Sequence, residues 1–179
     1  ESRKFCPENY YLAYEFSKKA LELLQFVPAS YVSDSCYTRI VCTMVSASIG
    51  VKYQQEALSM ATCAFWTLKT TQHLVVHLDK DGANALLPVL KKFGIFFMDV
   101  KKFEEAIWCF REALIVIEEN RTVLNAEVHY ALGVALLKLA ESDAKGSCSP
   151  LLLYKSKISE AIVKLKRAAK LFNSLTQLQ

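Results

Sequence analysis

An all-α chain of about seven helices is the expectation from sequence. Apolar residues recur at i, i+3, i+4 and i+7 along most of the 179 residues, the spacing that builds one greasy stripe on a helix. Gly is 5 and Pro is 4, too few to punctuate a chain of many strands. No stretch of alternating apolar and polar residues stands between turn signals, so no sheet is expected. With 53% hydrophobic and 22% charged residues, the chain has enough apolar material for a core and is not of disordered composition.

The elements follow in order. A first helix spans about 9–26 and stops at Pro28. A second spans about 30–48, before Gly50. A third spans about 53–78 and ends in the turn DKDG at 79–82. A fourth spans about 83–98. Its Pro88 is compatible with a helix only in the first turns or at a kink. The fifth spans about 102–119 and the sixth about 122–141. SDAKGSCSP at 142–150 reads as a loop, and the seventh helix spans about 152–175.

Helices joined by short turns, with no sheet to lie on, must bury their stripes on one another, so internal repetition is the next feature to seek. Ala-x3-large-x2-Ala stands at Ala106, Phe110 and Ala113 in the fifth helix, and at Ala161, Leu165 and Ala168 in the seventh. Ala13, Ser17 and Ala20 form a weaker copy, as do Ala57, Ala61 and Ala64. The preceding helices match as well: Phe93-Gly94 with Phe97, Leu132-Gly133 with Leu136, and, more loosely, Met44-Val45 with Ser48. Small side chains at such places let two antiparallel helices approach, and large ones fill the space beside them.

A glycine-bearing first helix followed by Ala-x3-Phe-x2-Ala resembles the tetratricopeptide repeat. KKFGIFFMDVKKFEEAIWCFREALIVI is the best copy. The alanine marker steps by 44, 49 and 55 residues, against a usual period of about 34, so the helices are longer than standard. The resemblance implies antiparallel helix pairs stacked as a right-handed α-solenoid, a single domain over 1–179, with an insertion at about 141–156 in the last repeat. The first helix then reads as the second half of a repeat, which fits a segment of a longer chain or a single-helix cap.

In that family the first helices of the repeats line a concave groove. Carried over by position, the groove comprises Lys91, Ile95, Met98 and Asp99, then Glu127, Tyr130, Val134 and Lys138, then Arg39, Cys42, Ser46 and Ile49. This mixed lining suits a partner's peptide or amphipathic helix. Members that grip a C-terminal carboxylate use a Lys and an Asn. Lys91 matches the first, but Ile95 stands at the second, which argues against that ligand.

Charge and motifs narrow the remaining classes. The net charge of +4 does not demand nucleic acid. Between residues 145 and 179, however, seven cations face Glu160 alone, and Lys164, Lys166, Arg167 and Lys170 cluster on the last helix. A solvated helix face is the plain reading; a basic patch for nucleic acid or another acidic surface is the sharper one. Six scattered cysteines without CxxC read as free buried thiols of a reducing compartment. His73 and His77 lack a third ligand with metal spacing. In DKDG, the closing position of a calcium loop would fall on Pro88. No phosphate loop or nucleophile motif occurs, and no apolar run reaches the length of a membrane span. Ser149-Pro150 is open to a proline-directed kinase by spelling, and Asn120-Arg121-Thr122 is a sequon by spelling.

The expected protein is therefore a non-catalytic interaction scaffold. It is an intracellular, cytoplasmic or nuclear subunit of a larger complex, without cofactor, metal, membrane span or small-molecule substrate. A nucleic-acid or acidic-surface module acting through the basic last helix is the alternative.

Overall fold

A computed structural model describes residues 7–24, 26–27, 34–50, 54–70, 80–117, 122–145 and 151–176. Among these the chain is all-α, with seven helices and no strand: α1 (Pro7–Leu24), α2 (Asp34–Gly50), α3 (Gln54–Thr70), α4 (Lys80–Asp99), α5 (Phe103–Val116), α6 (Thr122–Lys145) and α7 (Leu151–Thr176). Pro7 opens α1, where a missing N–H costs nothing and the fixed φ already suits a helix.

Several features differ from expectation: α1 ends at Leu24, α2 begins at Asp34 and runs through Gly50, and α5 ends at Val116. α4 begins at Lys80, so most of DKDG is its first turn. Pro88 is the ninth residue of α4, well past the first turn, and the helix runs through it. Pro88 is exposed, and its missing N–H costs the helix one backbone hydrogen bond without ending it. At 141–156, α6 continues to Lys145 and α7 begins at Leu151. The expected insertion is thus mostly helix, since 141–145 contains neither Gly nor Pro to stop one. An ion pair between Lys157 and Asp143 joins the two extended ends.

The chain divides into two compact units, Glu1–Val89 and Leu90–Gln179, and the division falls within α4 just after Pro88. In the first unit α1 packs on α2 and α2 on α3. Its core holds Tyr14, Cys42, Met44, Ala47, Met60, Ala61, Ala64, Phe65, Leu86 and Leu87. Burial, and then Cys63 of α3, hold the Tyr14 hydroxyl above its ordinary pKa. Ser17, Thr43 and Thr62 sit mid-helix because each hydroxyl donates to the carbonyl four residues back, at 2.7, 2.9 and 2.7 Å.

In the second unit α5 packs on α6 and α6 on α7. Phe93, Phe97, Phe110, Leu132 and Val128 are its large buried side chains, with the Phe93 and Phe97 ring centroids 4.6 Å apart. The turn from α4 to α5 is a Schellman motif. Lys102 N donates to Phe97 O at 2.8 Å and Lys101 N to Met98 O at 3.1 Å. Lys101 takes the left-handed position, φ 61°, that glycine usually fills. Glu104 and Glu105 in the first turn of α5 complement the helix dipole in place of a side-chain cap.

Candidate functional site

The motif residues are where the helices meet. A Cβ on Gly94 of α4 would come within 2.5 Å of Cε1 of the Phe110 ring on α5. A Cβ on Gly133 of α6 would come within 2.7 Å of Cγ of Leu165 on α7. The two glycines hold the same place in their motifs, and so do Phe110 and Leu165. Burial follows the same register. Phe93 and Phe97, Leu132 and Leu136, and Met44 and Ser48 are all buried. So are Ala106 with Ala113, Ala161 with Ala168, and Ala61 with Ala64. The close approach expected between Gly94 and the small alanines of α5 takes the form of a ring laid on a bare backbone.

Two further contacts join helices that are not consecutive. Lys91 of α4 forms an ion pair with Glu127 of α6. Arg111 of α5 reaches both carboxylate oxygens of Glu160 on α7 at 2.9 Å. Sequence reasoning placed Lys91 and Glu127 in one groove, and the structure brings them together. It did not single out Arg111 or Glu160, whose spacing of 49 residues leaves no local signal.

The other residues assigned to the groove fall as follows. Ile95 is 45% and Tyr130 56% exposed, each one helical turn beyond the Lys91–Glu127 pair. Met98 and Val134 are half-buried, and Asp99 and Lys138 are exposed. Lys138 pairs with Glu141 at 3.1 Å. Arg39, Cys42 and Ser46 belong to the other unit. Arg39 and Ser46 are exposed, but Cys42 is buried and offers no surface to a partner. The side chain of Ile49 lies outside the described residues.

Lys166, Arg167 and Lys170 of α7 are exposed and Lys164 is half-buried. None of the four makes an ion pair among the described residues. Burial holds His129 of α6 below its ordinary pKa, helped by the charges of Lys164 and Arg167. His129 Nδ1, and Oδ1 of Asn125 one turn away, are buried without a hydrogen-bond partner. In the first unit, α1 and α2 border an open cleft of about 450 Å³ lined by Phe16, Ser17, Ala20, Cys36, Arg39, Ile40 and Thr43.

The thiols divide. Cys42 and Cys109 are buried, but Cys36 and Cys63 are exposed, contrary to the expectation that all are core residues. Burial pushes the Cys42 thiol up to about 12. Among the described residues no three His, Cys, Asp or Glu gather as a metal site. His73, His77, Cys6, Cys148, Ser149 and the Asn120-Arg121 pair lie outside those residues. The segment Val123–Ala144 is long and apolar enough to cross a membrane by length and composition, with mean hydropathy 1.3, where none was expected. Its apolar character coincides with core positions: Ala126, Val128, Leu132, Ala135, Leu136 and Ala140 are buried within the unit.

Compared with protein-family models, with curated proteins and with solved structures, the chain finds no match.

Proposed function

We propose that this chain is a non-catalytic protein-interaction scaffold. In this reading it is built from tetratricopeptide-like helix hairpins and takes a peptide or amphipathic helix of a partner along the face shared by α4 and α6. The observation that carries the reading is the Lys91–Glu127 pair, with exposed Ile95 and Tyr130 beside it. A simple four-helix bundle sets first and third helices, and second and fourth, on opposite diagonals. The two half-exposed ion pairs, Lys91–Glu127 and Arg111–Glu160, would then have to reach across both diagonals, although neighbouring axes already stand about 8–10 Å apart. Stacked hairpins put α4 beside α6 and α5 beside α7, which supports the solenoid. Its right-handed sense is what the resemblance implies. An apolar strip rimmed by Asp99 and Lys138 is the kind of surface that anchors an amphipathic segment.

The test is capture of partners from a cell extract by the wild-type chain and by Ile95→Glu/Tyr130→Glu, both checked for helicity. A protein held by the wild type through about 0.5 M salt and lost by the double variant supports the groove. Capture unchanged by the variant overturns it.

A second reading, a nucleic-acid or acidic-surface module, rests on the four cations of α7, which make no ion pair among the described residues. Binding through them should fall steeply with salt and vanish in Lys164→Glu/Lys166→Glu/Arg167→Glu, which should leave groove binding intact. An intracellular, cytoplasmic or nuclear setting belongs to the same proposal.

A further inference from the structure

We propose that the cleft between α1 and α2 is a second docking site. Its occupant is an amphipathic helix of a protein partner that sets a large apolar residue against Ser17 and, three residues earlier, a carboxylate against Arg39. The inference shares the repeated-hairpin reading above but not its groove.

The second unit shows how such a cleft is occupied. There α4 lies against both α5 and α6: Gly94 takes the Phe110 ring, and Lys91, three residues before that glycine, pairs with Glu127. The first unit carries the matching positions. Ser17 holds the place of Phe110, midway between Ala13 and Ala20. Arg39 stands five residues before Met44, as Glu127 stands five before Leu132. Ser17 and Arg39 line the same cleft.

Exposure separates the covered cleft from the open one. Phe110, Ala113 and Val128 are fully buried. Ser17 is buried at the cleft floor at 7% exposure, but around it Ala20 and Ile40 are only half-buried, Thr43 is exposed and Phe16 is 70% exposed. The Arg39 guanidinium makes no ion pair among the described residues.

Two inversions state what the occupant must be. Where α5 offers a large ring, its neighbour supplies a glycine; where α1 offers a small hydroxyl, its neighbour needs bulk, because packed helix pairs match large with small. Where α6 offers a carboxylate, α4 supplies a lysine; where α2 offers a guanidinium, the occupant needs an acid, which Arg39 can grip with two parallel hydrogen bonds.

The test uses the intact chain and a stapled helical peptide of the 89–99 sequence carrying Lys91→Glu and Gly94→Leu. Binding is read by fluorescence anisotropy of the labelled peptide. The designed peptide should bind at least about tenfold more tightly than the unmodified one. Arg39→Glu in the protein should reverse that preference. Ser17→Leu, which fills the seat with apolar bulk and is compared with the wild type by circular dichroism, should abolish binding of the designed peptide. Ile95→Glu/Tyr130→Glu should leave it unaltered, so failure of the groove and failure of the cleft are distinguishable. No binding, or binding indifferent to Arg39 and Ser17, overturns the proposal. So does self-association of the chain that Arg39→Glu removes, because the cleft would then seat a second copy.

Discussion

Gly94 and Phe110 are in contact so close that no side chain fits between them: a Cβ at 94 would lie 2.5, 2.7 and 2.9 Å from three carbons of the ring. The ring is fully buried and cannot swing into solvent. Gly94→Ala should therefore destabilise by about 1–3 kcal/mol from overpacking, even though alanine favours the helix by up to about 1 kcal/mol. Urea unfolding measures it. In Gly94→Ala/Phe110→Leu the smaller side chain makes room, and a positive coupling of about 0.5–3 kcal/mol is expected. Gly133→Ala should cost less, since Leu165 is half-exposed and flexible.

Lys101 sits at φ 61°, where a Cβ crowds the backbone. Lys101→Gly relieves that strain but loosens the unfolded chain, and should stabilise by about 0.5–1 kcal/mol. Lys101→Val, β-branched at the same φ, should destabilise by about 1 kcal/mol or more. Opposite shifts of the urea midpoint for these two variants are the outcome to look for. Equal shifts would mean that the turn does not constrain the hairpin.

Much of the architecture was legible because helical periodicity is local. The positions of all seven helices could be read, and the Phe93-Gly94 and Leu132-Gly133 motifs marked contacts that the structure makes. The ends were less legible. DKDG looks like a turn, but Lys80 and Asp81 can equally open a helix once Leu86 and Leu87 are buried. Pro88 was expected near a helix start, and packing on both sides carries the helix past it. Groove residues were read from register alone, and register cannot say whether a neighbouring side chain covers a position. That is why Cys42 was placed at the surface yet is buried. The α1–α2 cleft was hidden because its only signal is a small residue, Ser17, where the motif has a large one.

His129 should make stability fall in mild acid. Burial first, then Lys164 and Arg167 on the facing helix, hold its folded pKa below the ordinary 6.5. The unfolded chain then takes up the proton first, so stability is full above about pH 6.5 and is lost as the pH falls towards the depressed folded value. A buried Nδ1 without a partner gives the charged ring no acceptor there. Urea midpoints measured across that interval should decline for the wild type and decline less for His129→Gln. Lys164→Gln/Arg167→Gln should shift the decline to lower amplitude. A double variant with the wild-type profile would show that burial alone sets the shift.

Arg111 and Glu160 offer the sharpest check on stacking in the second unit, because their bond joins α5 to α7 past the intervening α6. One guanidinium nitrogen serves both carboxylate oxygens and the pair is half-exposed, so its worth should be about 0.2–1 kcal/mol and should shrink with salt. Arg111→Glu alone places two carboxylates together and should destabilise; Glu160→Arg alone should do likewise. The swapped pair, Arg111→Glu/Glu160→Arg, should recover most of the loss at low salt if the helices stand side by side. A double-mutant cycle by urea unfolding at low and high ionic strength reads this directly. Additive losses, with no recovery in the swap, would separate α5 from α7 and return the second unit to an ordinary bundle.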